Sequence, residues 1–492
     1  MQSKRKFAGV VAAVIAAAVF PGTAAQAAVP LTEVISDPFT NTSSQHATAV
    51  EPDTFADATT NTIVSAAQVG RFFDGGASGI GVAASNDGGT TWSPSVLPGI
   101  TTHNGNGGIF DRVSDPVVAY SAKHDAWLVS SIPLASDLSV PDVFVSRSTD
   151  GGHSWSGPIP VIGGRLAGDF DKNWTVCDNH PTSPFYGNCY TTFDDFADGD
   201  RLYVSTSHDG GLTWDLPKQT ANRATGLGGQ PVVQPNGTVV IPASDAFEFS
   251  ILAFRSTDGG QTWGRAKRVS RSLSHNVAGD LRTGPLPSAE IDGSGRVHVV
   301  WQDCRFRPGC TGNDIVMSTS TDGVSWTRPV RVPIGTVTDG NDNFIPGIAV
   351  DPAAASATAK LGLTFYFYDN AACGSACSLR VGYIQSNDGG TNWSAVTELA
   401  GPFPVAWTPD TSQGRMVGDY ISTSWLGGKA FGAFAVANAA PSPTFDQTID
   451  VPTGGVVTSG AFTQRVGGER VDPSNQGALN SDVHSAVRRR PR

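Results

Sequence analysis

Short runs rich in Val, Ile, Ala, Phe and Tyr recur along the chain, each bounded by Gly, Asn, Asp or Pro. Their shortness and their β-branched, aromatic content predict β-strands in successive sets. In the first set residues 51–55, 62–69 and 79–85 are strands A, B and C, and strand D begins at Trp92. Five further sets follow, at 115–120, 126–132 and 142–148; 172–176, 188–193 and 201–207; 230–234, 238–243 and 250–256; 287–291, 296–302 and 314–320; and 345–350, 360–368 and 378–386. Strand A opens on Pro52, Pro116, Pro231, Pro287 or Pro346, with Asn173 in the third set. A residue without an N–H is tolerated at a strand's first position.

One motif recurs between strands C and D. Its first copy is Ser85-Asn86-Asp87-Gly88-Gly89-Thr90-Thr91-Trp92, and later copies centre on Asp150, Asp209, Asp258 and Asp388, with a copy one residue shorter at Asp322. The steps between these aspartates are 63, 59, 49, 64 and 66 residues, the spacing of a repeat architecture. Asp-Gly-Gly between two strands is a tight turn: the carboxylate caps backbone N–H groups and glycine takes the positive-φ positions. The tryptophan is an apolar plate to bury between neighbouring repeats. Six copies of one constellation read as structure, since a catalyst is needed once.

This S-x-D-x-G-x-T-W pattern is the Asp-box, and on it the chain resembles the sialidase-type BNR-repeat β-propellers. The resemblance implies an all-β fold, a β-propeller of four-stranded blades spanning residues 28–466. After the sixth Asp-box, 418–423, 429–437 and 445–451 supply three more strands, and 31–39 is free to close the ring as the last outer strand. Closure would remove an exposed sheet edge. Seven blades are therefore expected, with six, and 416–470 as an appendage, as the alternative.

Composition sharpens this picture. The 492 residues carry a formal charge of −11 and a pI near 5.2, which argues against nucleic acid or an anionic membrane as partner. Residues 1–27 read as a signal peptide, with basic Lys4-Arg5-Lys6, an apolar stretch from Phe7 to Phe20 and an A-x-A site at Ala25-Gln26-Ala27. A secreted protein, monomeric and without a membrane span, is expected. The six cysteines fall into close pairs, Cys177 with Cys189, Cys304 with Cys310 and Cys373 with Cys377, and adjacent pairing suits an exported chain. Residues 467–492 are polar, end in a basic cluster and read as a disordered tail.

In a propeller the A–B and C–D turns share one face and the D–A and B–C loops share the other. The Asp-boxes occupy the first, so a site belongs on the second. Glu51, Asp53, Asp115, Asp171, Lys172, Asp194, Arg282, Asp419 and Tyr420 are among the residues delivered there. Carboxylates and arginines at one mouth suit a glycan.

The resemblance implies roles. Asp115 matches the acid, Glu290 and Tyr420 the nucleophile pair with Asp419 beside them, and Arg71, Arg112, Arg305 and Arg415 a clamp for a sugar carboxylate. The family's F/Y-R-I-P stretch corresponds here to Ala49-Val50-Glu51-Pro52, where Glu51 stands in the arginine's place. The implied activity is that of a sialidase-like exo-glycosidase, a hydrolase acting on glycans. A non-catalytic glycan- or protein-binding propeller, or a polysaccharide lyase on the same fold, are the alternatives. No cofactor is implied. The oxygen-rich Asp339-Gly340-Asn341-Asp342-Asn343 loop is a lesser candidate for calcium.

Overall fold

The apolar runs fold as antiparallel meanders, each strand pairing with the next in sequence. The computed structural model describes residues 29–480 except Asn106, Ser442 and Ser459. The signal-peptide expectation for 1–27 and the last residues of the basic tail lie outside the described residues. Among the described residues no helix is long and apolar enough to cross a membrane.

Four sheets stand alone with four strands each. One runs Phe170–Cys177, Cys189–Asp195, Arg201–Ser207 and Lys218–Gln219. The others begin at Val232–Val233, Ser288–Ile291 and Ser422–Leu426. The remaining meanders merge. Gln45–Asp57 to Ser93–Val96 and Arg112–Ser121 to Ile159–Pro160 share an eight-stranded sheet through one pairing, Ala77 with Val113. A six-stranded sheet starts at Asp342–Val350 and gains Gln464–Arg465. The result is an all-β propeller of roughly four-stranded units, less evenly divided into sheets than expected.

The last meander closes as anticipated. Leu31–Ile35, from the start of the described chain, pairs antiparallel with Gln447–Pro452, so the outer strand of the final sheet comes from the other end of the sequence. The described part of the tail departs from expectation. Residues 467–480 dock on the body: the Asp472 N–H donates to the Arg305 carbonyl at 3.0 Å, and the Asn475 amide donates to the Arg307 carbonyl at 2.8 Å. Their hydrogen bonds to an otherwise irregular loop explain why this polar segment is held.

The Asp-box turns are built as the motif requires. Asp87 Oδ1 accepts from the Ser85 hydroxyl and the Thr91 N–H, each at 2.9 Å, and the Gly89 N–H donates to Ser85 Oγ at 2.8 Å. The same bonds recur around Asp150, Asp209, Asp258 and Asp388, and in shortened form at Asp322. The second glycine has a further duty. A Cβ on Gly152 would lie 2.9 Å from Ala84 Cβ, and one on Gly89 would lie 2.3 Å from the Phe431 ring. Each Asp-box turn therefore lies against the preceding meander, and the first turn lies against the last one. The three disulfides form between adjacent cysteines: Cys177–Cys189, Cys304–Cys310 and Cys373–Cys377.

Candidate functional site

The mouth of the central channel is assembled by one backbone device. In four meanders the inner strand carries a bulge, with one extra residue between the pairs flanking Glu51, Asp115, Lys172 and Ile345. These four residues adopt left-handed φ values of 54°, 49°, 48° and 49°. A bulge re-aims its side chain, and positive φ outside glycine is strained by about 1–3 kcal/mol. Pro52, Pro116 and Pro346 directly follow the bulged residue, as does Asn173. Three of the prolines thus mark bulges inside longer strands instead of strand starts; Pro231 and Pro287 do precede their strands.

Three of the bulges present charge. Lys172 Nζ lies 2.6 Å from Asp419 Oδ2, 3.5 Å from Asp115 Oδ1 and 3.8 Å from Glu51 Oε1. Asp419 also accepts a two-pronged contact from Arg282, with Nε to Oδ1 at 2.7 Å. The Asp419 N–H donates to Glu51 Oε1 at 3.3 Å, and Gln68 donates to the other Glu51 oxygen. Arg71 is buried beside them, donating to the Gln68 side-chain carbonyl at 3.3 Å and the Gly76 carbonyl at 2.8 Å. A small cavity of about 70 Å³ opens among Glu51, Arg71, Asp115, Asp171, Lys172 and Arg282.

The protonation pattern follows from burial and pairing. Burial raises the Asp115 carboxyl to about 6, with Lys172 opposing and Glu51 reinforcing the rise. Its Oδ2 is buried without a hydrogen-bond partner. Lys172 stays firmly charged: desolvation pulls its pKa down, but Asp115, Asp419 and Glu51 together hold it well above the ordinary value. Burial lowers Arg71 to about 10, so it too stays cationic at neutral pH. Asp194, buried near Asp171, is pushed well above the usual carboxylate range by desolvation and by that neighbour.

The sequence-derived candidates separate into groups. Asp115, Asp419 and Arg71 converge, with Glu51, Lys172 and Arg282 added. Tyr420 lies beneath them, its hydroxyl donating to the Pro116 carbonyl at 3.1 Å and its ring packed edge-to-face on Trp174 with 5.1 Å between centroids. Burial and the surrounding carboxylates lift its pKa well above the ordinary tyrosine value. No bond joins it to Glu290, which faces the channel lower down, where burial raises its pKa to about 8. The expected nucleophile pair is therefore not formed.

The arginine clamp is not assembled either. Arg112 sits at the rim, paired with Asp74 and Asp111 and stacked 4.2 Å over Phe72. Arg305 is buried against Asp303 of its own loop. The Arg415 guanidinium donates to the Thr408 carbonyl at 2.8 Å, while its backbone positions the Arg282 segment, whose N–H donates to the Arg415 carbonyl at 2.8 Å. In the proposed calcium loop, Asp339 accepts from Arg307 at 2.9 Å and Asp342 from the Asn313 N–H at 2.8 Å, so both carboxylates already serve protein donors.

Residues 135–343 match the family of the BNR repeat-like domain. Over that stretch, less than half of its length, the propeller is similar to the BNR repeat-like family. No curated protein matches it. Among solved structures, this propeller is similar to a protein of unknown function from Dyadobacter fermentans, at 19% identity over 74% of this chain and 100% of that one, with a TM-score of 0.45. It is also similar to an α-L-arabinofuranosidase from Fusarium graminearum, at 16% identity over 68% and 92%, TM-score 0.43. A sialidase from Streptococcus pneumoniae aligns at 12% identity over 86% and 69%, TM-score 0.42.

In this propeller Lys172 and Arg282 were visible in the sequence only as two charges among many at the mouth. Arg282 lies on a long loop before its own inner strand, and a parallel bridge between Leu281 and Arg415 carries it to the short hairpin that precedes the last meander. Nothing in local periodicity encodes that contact.

Proposed function

We propose that this is an exported carbohydrate-active propeller that hydrolyses glycosidic bonds at the channel mouth, with Asp115 as the general acid. The carrying observation is the convergence of Glu51, Asp115, Lys172, Arg282 and Asp419, in which Asp115 carries a buried carboxyl raised to about 6 beside Glu51. A general acid works best with a pKa near the working pH. Glu51, held by Gln68 and Lys172, is the carboxylate facing it, in the role of base or cation stabiliser. Asp419, gripped by Arg282 and Lys172, is an anchor that fixes Lys172.

This reading favours neutral sugars over sialic acid. Five carboxylates, Glu51, Asp74, Asp115, Asp171 and Asp419, gather with three cations, Arg71, Lys172 and Arg282. Lys172 and Arg282 are already paired with carboxylates, which leaves Arg71, held by the Gln68 and Gly76 carbonyls, against five acids, and Glu51 would repel a sugar carboxylate. The same pairing supports a second reading, a propeller that binds glycans without cleaving them. We also read the ring as seven four-stranded blades, counting the eight-stranded sheet as two; the contact of the Gly89 turn with Phe431 supports a closed ring. Export is supported by three disulfides, which persist in oxidising compartments.

A panel of fluorogenic glycosides tests the proposal. Release from neutral pyranosides or furanosides, with sialosides inert, is the expected result. Release from sialosides alone would overturn the substrate class, and binding on a glycan array without release from any glycoside would leave the binding reading in place.

A further inference from the structure

Below Tyr420 and Trp174 the channel widens into a second cavity of about 220 Å³. It runs along the inner strands, from Asp53 to Ala56 on one and from Ser422 to Trp425 on another, and is distinct from the small cavity at the mouth. Its volume equals that of about seven liquid waters, at roughly 30 Å³ each. A monosaccharide-sized ligand fits that scale.

The wall chemistry is specific. Asp53 and Glu290 both line the cavity; Asp53, which accepts from the Val118 N–H at 2.7 Å, is close enough to raise the proton affinity of Glu290. Neither has a lysine or arginine to pair with there, since the lining contains none. The lone histidine on the wall, His180, is held at 2.9 Å by the Val233 carbonyl. Phe55, Trp174 and Trp425 supply aromatic faces. Trp425 is 6% exposed, and its indole Nε1 has no hydrogen-bond partner. Two carboxyls without a counter-ion, aromatic faces and one orphan N–H donor together describe a complementary guest. It carries an ammonium for the acids and rings, and a hydroxyl to accept from the indole.

We propose that this lower channel cavity binds a small hydroxylated primary amine of the amino-sugar class. The ammonium sits between Asp53 and Glu290, flanked by Trp174, and a hydroxyl accepts from Trp425 Nε1. Burial holds the acids protonated near neutrality, Asp53 at about 7 and Glu290 at about 8, and an arriving ammonium would compensate the charge that desolvation opposes. The site is independent of the proposed chemistry at the mouth, from which the Trp174–Tyr420 pair separates it.

The test is titration of the full mature chain with D-glucosamine at constant ionic strength, followed by tryptophan fluorescence and calorimetry. D-glucose and N-acetyl-D-glucosamine, which lack the ammonium, serve as comparators. Saturable binding of glucosamine, at least ten-fold tighter than either comparator, is expected. Glu290→Gln keeps the shape of the side chain and removes one acid, and it should weaken glucosamine at least ten-fold. Trp425→Phe should weaken it more modestly and alter the fluorescence change. Equal binding of glucose would overturn the ammonium assignment, and full-strength glucosamine binding by a folded Glu290→Gln protein would overturn the location. No saturable binding of glucosamine would remove the proposal altogether.

Discussion

The buried carboxyls of the channel were legible in the sequence by place and not by protonation. Asp53 and Asp115 could be placed at the mouth, and Asp115 and Glu290 matched to catalytic roles, but desolvation depends on neighbours that only the closed ring brings together. In the fold, burial raises Asp53, Asp115 and Glu290 to about 7, 6 and 8. A carboxyl raised above its unfolded value of about 4 makes the native state bind more protons. The stability each contributes is complete below that value and is lost as pH rises through 6 to 8. The exposed Asp-box aspartates behave oppositely: turn hydrogen bonds lower Asp87, Asp150 and Asp322 to about 2, so their contribution disappears as pH falls towards 2. The melting temperature should therefore peak between about pH 4 and 6 and be lower at pH 8.5 than at 5.5. Glu290→Gln should flatten the alkaline fall. A melting temperature that climbs steadily from pH 5.5 to 8.5 would contradict these assignments.

At the scale of elements, the Asp-box turn was the most legible feature, since its bonds lie within eight residues and glycine is demanded by φ alone. Its second role was hidden. Gly152 has φ of +86°, and a Cβ there would crowd Ala84 and Val64 of the preceding meander. Gly152→Ala should destabilise by roughly 1–3 kcal/mol, from backbone strain and displaced packing. Gly157→Ala, where a Cβ would meet nothing within 4 Å, is the control and should change stability by no more than roughly 0.5 kcal/mol. Denaturant melts compare the two, and equal effects would remove the inter-meander role. The bulges were legible only as recurring prolines. Glu51-Pro52 and Asp115-Pro116 look like strand starts until register shows the extra residue, and it is this residue that turns a strand position into a mouth position.

For the whole molecule, the ring depends on the pairing of Leu31–Ile35 with Gln447–Pro452. This contact joins the start of the described chain to its last meander, and the sequence made it readable because that meander lacked an outer strand. Deleting 31–39 should expose a sheet edge, uncover Val34 and Ile35, both nearly fully buried, and lower the melting temperature sharply. A truncated protein melting with the mature chain would show that the ring closes without it. The long-range placement of Arg282 beside Asp419 and of residues 467–480 on the body was not readable, since both depend on loops meeting across the ring.

The central claim is that Asp115 donates a proton at the mouth, and the pH dependence of kcat/KM on the best glycoside from the panel tests it most directly. The wild type should lose activity as pH rises through about 6, where Asp115 deprotonates. Asp115→Asn should reduce kcat/KM by roughly 10²–10⁴-fold, the usual contribution of general acid catalysis, and abolish that limb, with the melting temperature unchanged or higher. A folded Asp115→Asn protein that keeps wild-type turnover and the same alkaline limb would contradict the account.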